Sequence, residues 1–460
     1  IAKNPSSYSW ANSQSTSTME QQQDEHYDVV VLGAGAAGLL CAFTAAQRGR
    51  KVLVLEKANK VGKKILMSGG GRCNFSNHFV EPDHFISNNP HFFISALKRY
   101  SQWDFIAMVE RHDIPYEERK HSQLFCLRSA ADILNMLLQE CSLAGVTIKT
   151  HAALASIRAT NSDMASSTYT LDVNLGCGET SCNTLFSCAS VVVATGALSI
   201  PTLGGSGAGY DIAQQFGIAL TPRRAGLVPF TFSDAIKPLC ERLSGLACEV
   251  EVNCRNRFFR ENLLFTHRGM SGPAMLQISN YWQLGDELSV NLLPDVDATD
   301  WLLSSKQTHG ASLLRSLLSS RLPKSLVLEL QDLAWPELAG APLAQYRDAK
   351  LEAIGQFLNN WRLKPSGTEG YRTAEVTLGG VDTAGISSKN ITAVVYLTCG
   401  ALAGLAGALR ASFSAPNVEL GNDYLLDSIA VVVIGGTPIT GGRAVPAGVW
   451  GGALFVILLD

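Results

Sequence analysis

The sequence predicts an α/β fold in which a Rossmann-like dinucleotide-binding domain carries an inserted α+β domain and is followed by a hydrophobic, membrane-like helical C-terminal segment. Three observations predict it. A glycine-rich turn lies between two apolar strands, a later stretch changes from short strands to amphipathic helices, and the end of the chain loses its charges. We divide the chain into a disordered lead-in (1–26), the dinucleotide-binding domain (27–201), an inserted substrate or cap domain (202–371), a return strand (372–389) and the hydrophobic segment (390–460).

The lead-in is rich in Ser, Gln and Asn and lacks hydrophobic periodicity, which predicts disorder. The chain does not begin with Met, and Met19 stands just before the acidic run into the first strand. We therefore expect Met19 to be the natural start, with residues 1–18 as upstream translated sequence or a fragment artefact.

The dinucleotide-binding domain opens with a strand, a glycine-rich turn, a helix and a second strand. Tyr27–Leu32 is an apolar, β-branched run, which is typical of a strand buried on both faces. The second strand, Lys51–Leu55, ends on Glu56, eighteen residues beyond Gly38. This order and spacing are those of a dinucleotide site, whereas an ordinary βαβ turn is the plainer alternative.

Each glycine of the turn has a separate physical role in such a site. Gly33 permits the tight turn, Gly35 lets the backbone approach a pyrophosphate, and Gly38 lets helix and strand pack closely. The N-terminus of the helix presents free N–H groups to the anion. Glu56 can accept hydrogen bonds from ribose hydroxyls and would repel a 2′-phosphate. The motif alone does not separate NAD from FAD.

A second glycine-rich run, Ser68-Gly-Gly-Gly-Arg-Cys-Asn74, suits backbone that lies against a flat ligand or a phosphate. Arg72 adds a cation and Asn74 an amide donor. Here the chain resembles the BaiN/YhiN-type NAD(P)/FAD-dependent oxidoreductases, also called the aminoacetone oxidase family. The resemblance implies FAD as cofactor, NAD(P)H as its electron donor, and a position of this run near the pyrophosphate and flavin.

The run Cys188–Gly196 predicts a fully buried strand that ends in Ala-Thr-Gly. Such a strand passes beneath the FAD in flavoproteins with two dinucleotide domains, while a core strand with a polar exit is the alternative. The predicted FAD-binding residues are Gly33, Gly35, Ala36, Ala37, Gly38, Glu56, Lys57, Lys64, Ser68, Gly70, Gly71, Arg72, Asn74, Thr195 and Gly196.

Between these markers, periodicity predicts one helix over Phe92–His112 and another over Ser129–Leu143 that begins at the N-cap Ser129. Four short strands between residues 146 and 186 are expected to form a meander laid across the domain. The glycine-rich stretch from Gly204 opens a further helix, Ile212–Phe216.

The inserted domain is predicted to hold strands first and then two amphipathic helices, Leu302–Leu322 and Leu343–Leu358. Leu263–Ala274 matches another signature of the resembled family. Ser271 does not fit G-x-S-x-G, so a serine hydrolase is disfavoured. His267 could face the flavin or the substrate, or be a solvated loop histidine, and we assign no catalytic residue.

The stretch Thr373–Asp382 also matches the family and is expected to return the chain to the dinucleotide-binding domain. The G-E-x-x-D…G-G-Y-N segment that follows in that family is missing. Instead, Ile391–Leu409 carries no charge over nineteen residues, long enough to span a bilayer. Leu426–Arg443 resembles the permease subunits of ribose-type ABC importers. A buried helix is the alternative, but a chimera is the stronger interpretation.

Composition narrows the classes of function. The formal charge of −3 offers no global basic field, so no nucleic-acid partner is indicated. Eleven scattered cysteines show no zinc spacing, which predicts no metal and a reducing compartment. We expect an FAD-dependent oxidoreductase acting with NAD(P)H on an unsaturated small molecule, cytoplasmic over 27–389 and membrane-associated through 391–459. The alternative is a membrane-associated chimera or permease fragment whose dinucleotide-binding module is not catalytic.

Overall fold

The computed structural model describes residues 25–159, 168–177 and 180–382, which fall in one compact unit. Residues 1–24 of the predicted lead-in and the predicted membrane span lie outside these residues. Glu25 and His26, which were also predicted to be disordered, instead begin the first strand. The strands are β1 Glu25–Leu32, β2 Val52–Leu55, β3 Asn74–Asn77, β4 Tyr116–Glu118, β5 Gln123–Cys126, β6 Thr147–Lys149, β7 Ala152–Ala159, β8 Tyr169–Cys177, β9 Thr180–Val193, β10 Arg224–Gly226, β11 Phe230–Thr231, β12 Ala247–Cys254, β13 Arg257–Thr266, β14 Gly269–Ser271, β15 Leu288–Asn291, β16 Trp361–Leu363, β17 Gly367–Thr368 and β18 Val376–Leu378.

The helices carry the same chain-order numbering. They are α1 Ala36–Ala46, α2 Lys63–Met67, α3 Ile94–Arg99, α4 Gln102–Arg111, α5 Ala130–Leu143, α6 Ala208–Gln215, α7 Ile236–Arg242, α8 Pro273–Ser279, α9 Ala298–Thr308, α10 Leu314–Leu318, α11 Lys324–Ala334 and α12 Asp348–Asn359. Within the described residues, no helix is long and apolar enough to cross a membrane.

The first sheet has the strand order β6-β2-β1-β9-β8-β7. Strands β6, β2, β1 and β9 run parallel, and β9, β8 and β7 run antiparallel. The expected meander is confirmed for β7, β8 and β9, which pair antiparallel in chain order, but it extends this sheet rather than lying across it, and β6 pairs with β2 instead. The predicted strand Cys188–Gly196 is not fully buried: Cys188 is, but Val193, where the strand ends, is 43% exposed.

Helix α1 packs on this sheet, α5 packs on α1 and α2, and both helices share one core with β1 and β2. The predicted start of α5 is confirmed, since the Ser129 side chain accepts a hydrogen bond from the Ala131 N–H at 3.1 Å. The predicted single helix over 92–112 is wrong. Ser101 and Asp104 form a reciprocal capping box, which starts α4 after Tyr100 has left helical geometry.

The second sheet has the order β16-β15-β12-β13-β14-β11-β17 and is antiparallel. Helices α7–α12 supply much of its core, in which Trp335 and Tyr346 are almost fully buried. The predicted helix over 302–322 is broken between α9 and α10, because Gly310 and Ser312 instead accept backbone bonds from Ala344 and Leu343. The second predicted helix, expected from Leu343, begins only at Asp348, after the residues that donate these bonds.

The predicted return strand does not join the first sheet. Its ordered part, β18, pairs antiparallel with β10 in a separate two-stranded ribbon. The ribbon is nevertheless tied to the first sheet's loops, since the Ser199 N–H donates to Thr377 Oγ1 at 3.1 Å. The domain boundaries given above stay a prediction.

Candidate functional site

The glycine-rich turn leaves the carboxyl end of β1 in the way the sequence predicts. Gly33 has φ +104°, and a Cβ there would lie 2.4 Å from the carbonyl oxygen of Ala194. The Gly33 N–H donates to the carbonyl of Leu55 at 2.8 Å. Because the turn at Gly33 lies in contact with the ends of both β2 and β9, no side chain fits there and only glycine is possible.

The other two glycines of the turn, Gly35 and Gly38, have different surroundings. A Cβ at Gly35 would have no heavy atom within 4 Å, so this backbone borders open space. A Cβ at Gly38 would lie 1.9 Å from the Gly33 carbonyl oxygen, so Gly38 serves the packing of α1 on the turn. Ala36 and Ala37 form the exposed first turn of α1, which has no side-chain cap. Its free N–H groups therefore suit an anion.

Glu56 closes this turn from the neighbouring strand. One carboxylate oxygen accepts from the Ala34 N–H and the other from the Ala58 N–H, each at 2.8 Å. Glu56 thus fixes the turn in addition to its predicted role, since each oxygen keeps a lone pair for a ribose hydroxyl. The ribose contact itself stays a prediction.

A cavity of about 450 Å³ lies at the carboxyl ends of β1, β2 and β9. This is where an α/β sheet binds its ligands. Several lining segments were not predicted: Ala58, Lys60, Gly62 and Lys63, then residues 152–154, and then the segment 203–208 with Asp211 and Ile212. The glycine cluster from Gly204 was the available signal. The predicted residues that line the cavity are Gly33, Gly35, Glu56, Lys57, Lys64, Thr195 and Gly196.

Two polar groups at this cavity fit an anionic ligand. Lys64 donates to Ser199 Oγ at 3.0 Å and has no carboxylate within 4.0 Å among the described residues. Burial lowers the pKa of its ammonium group. The Thr195 hydroxyl is buried and has no partner in the described part of the chain. An uncompensated cation, an orphaned hydroxyl and the open backbone at Gly35 together fit a dinucleotide pyrophosphate.

The second glycine-rich run lies apart from the walls of this cavity. Three successive glycines, 69–71, have φ of 56°, 67° and 86°. Ser68 Oγ donates to the Ile65 carbonyl at 2.7 Å, and Arg72 lies 3.9 Å from Glu117. Open space surrounds Gly70, so ligand contact there stays a prediction. The predicted residues that do not line the cavity are Ala36, Ala37, Gly38, Ser68, Gly70, Gly71, Arg72 and Asn74.

Comparison with known proteins relates both sheets to one family. A model described as "HI0933-like protein Rossmann domain" matches residues 27–400. The chain is 47% identical over 373 residues to the ribosomal RNA dihydrouridine synthase of Escherichia coli K12, which covers 80% of this chain and 89% of that protein. It is 23% identical over 372 residues to the 3-dehydro-bile acid delta(4,6)-reductase of Clostridium scindens, covering 77% and 86%.

A shorter similarity concerns a transport protein. Over 88 residues the chain is 41% identical to the ribose import permease protein RbsC of Escherichia coli K12, which covers 18% of this chain and 27% of that protein. The similarity is therefore partial, whereas the family match spans every residue of the cavity described above.

Proposed function

We propose a function from the premise that the chain belongs to the HI0933-like family, with its Rossmann-like, FAD-binding α/β fold. On this premise the protein is an FAD-dependent oxidoreductase that reduces a uracil base in ribosomal RNA. The observation that carries the proposal is the 47% identity over 89% of a relative named ribosomal RNA dihydrouridine synthase. The residues at the cavity fit the cofactor on physical grounds that do not depend on that name.

The reaction saturates the C5–C6 double bond of uracil. This bond is conjugated to the C4 carbonyl, so the hydride adds at C6 and a proton adds at C5. Bound FAD supplies the hydride chemistry, with NAD(P)H as the source of electrons. NAD(P)H, a proton and uridine are thereby converted to NAD(P)⁺ and dihydrouridine.

The chain's own residues bind and orient in this proposal. The first turn of α1 and the open backbone at Gly35 hold the pyrophosphate, and Lys64 compensates its charge. Glu56 fixes the turn and accepts a hydrogen bond from the ribose, while the unpartnered hydroxyl of Thr195 donates a hydrogen bond to the cofactor. In this proposal the cofactor occupies the cavity at the carboxyl ends of β1, β2 and β9.

An RNA substrate departs from the expectation drawn from net charge. The value of −3 describes the whole chain, whereas RNA binding requires only a local group of cations. The expectation of an unsaturated substrate is retained, because uracil is one.

The test is reduction of an unmodified ribosomal RNA transcript by purified protein with NADH or NADPH. We expect dihydrouridine, detected by mass spectrometry of the nucleosides as a gain of two hydrogens, and none with the flavin-free Gly35→Val variant. A flavin-loaded protein that reduces a conjugated steroid ketone but not RNA would refute the RNA substrate, and would favour a small-molecule reductase like the bile acid relative.

A second candidate concerns only residues 390–460. We propose that this segment is permease-like and enters a membrane. The similarity to RbsC supports a permease-like stretch, although its 88 residues are more than the 71 of this segment. Truncation after Lys389 tests this proposal: the full chain should need detergent and the truncated chain should not. Equal behaviour of both without detergent would refute it.

A further inference from the structure

A second cavity, of about 480 Å³, lies outside the dinucleotide site and is rich in cationic side chains. The end of β13 and the turn that follows contribute Thr266, His267 and Arg268. About a hundred residues later, the segment before β18 contributes Glu369, Arg372 and Thr373. The fold alone brings these two segments together, through the pairing of β11 with both β14 and β17.

The charges in this cavity do not balance. Arg268 Nη1 lies 3.7 Å and Arg372 Nη2 lies 3.5 Å from the same carboxylate oxygen of Glu369. Neither arginine has another acidic partner within 4.0 Å among the described residues. Two guanidinium groups thus share one carboxylate, which leaves one positive charge uncompensated. The Glu369 side chain is 10% exposed, while the two arginines are 42% and 57% exposed and can reach a ligand.

A hydroxyl group adds to this arrangement. The Thr373 oxygen is buried and has no hydrogen-bond partner in the part of the chain that the structure describes. An unmade hydrogen bond of this kind is costly unless a ligand supplies the partner. Guanidinium groups beside a hydroxyl suit the oxygens of a phosphate group.

The cavity is connected to the dinucleotide site by a direct contact. The carbonyl of Tyr371, between Glu369 and Arg372, accepts a hydrogen bond from the Ile200 N–H at 2.8 Å. Three residues beyond Ile200, the segment 203–208 lines the dinucleotide cavity. The second cavity is therefore hydrogen-bonded, through Tyr371, to the loop that leads into the dinucleotide cavity.

We propose that the second cavity binds a backbone phosphate of the RNA strand, next to the nucleotide whose base is reduced. This inference rests on the proposed function and specifies how the substrate is held. A phosphate of the nicotinamide donor has the same chemistry, so the experiment separates the two sources.

The experiment compares the wild type with Arg268→Gln and Arg372→Gln, each loaded with FAD. Binding of a labelled ribosomal RNA fragment is measured by fluorescence anisotropy over a range of salt concentrations. Each loss of a phosphate-binding charge should weaken binding about tenfold and lower the slope of log Kd against log salt by about 0.7. The reduction of bound FAD by NAD(P)H, followed in a stopped-flow instrument without RNA, should not change.

Arg260→Gln is the matched control. Arg260 lies on the same strand, β13, and its side chain is 41% exposed, but it pairs with Glu249 and Asp295 outside the cavity. It should retain the wild-type salt slope, whereas a purely non-specific electrostatic effect would change all three variants alike and overturn the proposal.

The remaining outcomes are separable. If both cavity variants bind RNA like an active wild type, the phosphate site is refuted and the proposed function stands. If they slow FAD reduction by NAD(P)H and leave RNA binding intact, the site belongs to the donor and the proposal is overturned. If the wild type neither binds nor reduces RNA, the proposed function is refuted, and so is this inference, which rests on it.

Discussion

Gly35→Val tests the dinucleotide site most directly, because the structure separates its effect on binding from its effect on folding. Gly35 has φ −85° and ψ −173°, an extended conformation that valine adopts without strain. The new Cβ would meet no heavy atom within 4 Å. The side chain would instead project into the space that we assign to the pyrophosphate.

The expected magnitudes follow from that geometry. Replacing glycine restricts the unfolded chain, which stabilises the folded protein by about 0.4–1 kcal/mol. Loss of glycine at the N-cap of α1 offsets this gain by a similar amount. The free energy of unfolding should therefore change by less than about 1 kcal/mol, or roughly 2–4 °C in Tm. Flavin content should fall to background, because the branched side chain excludes the phosphate from the helix N-terminus.

Gly38→Ala is the contrasting variant. Its Cβ would lie 1.9 Å from the Gly33 carbonyl oxygen, so α1 or the turn must shift by about 1 Å. Overpacking of this kind costs about 1–3 kcal/mol or more, so this variant should lose stability as well as flavin.

The assay for both variants combines thermal unfolding with the ratio of flavin to protein absorbance after gel filtration. Stoichiometric flavin in Gly35→Val would refute the site. A loss of stability in Gly35→Val equal to that in Gly38→Ala would show that the space beside Gly35 is not open.

Three further predictions concern single side chains. Glu56→Ala leaves the N–H groups of Ala34 and Ala58 without acceptors, so the free energy of unfolding should fall by about 1–3 kcal/mol and FAD affinity should fall with it. In the same titrations, Glu56→Gln should lose less stability and less affinity. A Glu56→Ala variant as stable as the wild type would contradict the observed contacts. Because burial lowers the pKa of Lys64 and a bound pyrophosphate would raise it again, FAD binding should take up protons. The Kd for FAD should therefore rise as the pH rises through the lowered pKa of Lys64. Calorimetry of the Lys64→Met variant should show no such pH dependence. Ser101→Ala removes the cap of α4 and should cost about 0.5–2 kcal/mol in chemical denaturation with flavin content unchanged, an expectation that an unchanged midpoint would contradict.

The local features of the dinucleotide turn could be predicted because each depends on backbone geometry within one short stretch. A strand that turns sharply into a helix requires glycine at Gly33 and Gly38, and the acid at the end of the second strand follows at a fixed distance. The start of α5 at Ser129 was equally local. The capping box at Ser101 was a local signal too, but the apolar periodicity on either side obscured it.

The type of site, a β–turn–α–β unit that suits an anion, follows from the sequence alone, because neighbouring residues carry this information. The folded structure was needed to show which other segments line the cavity, that β18 pairs with β10, and that Arg268 and Arg372 both lie beside Glu369. These contacts join segments that lie up to about 180 residues apart, through strand pairing and shared cores. The spacing of apolar residues predicts which face of a helix or strand is buried, but not which other element packs against that face.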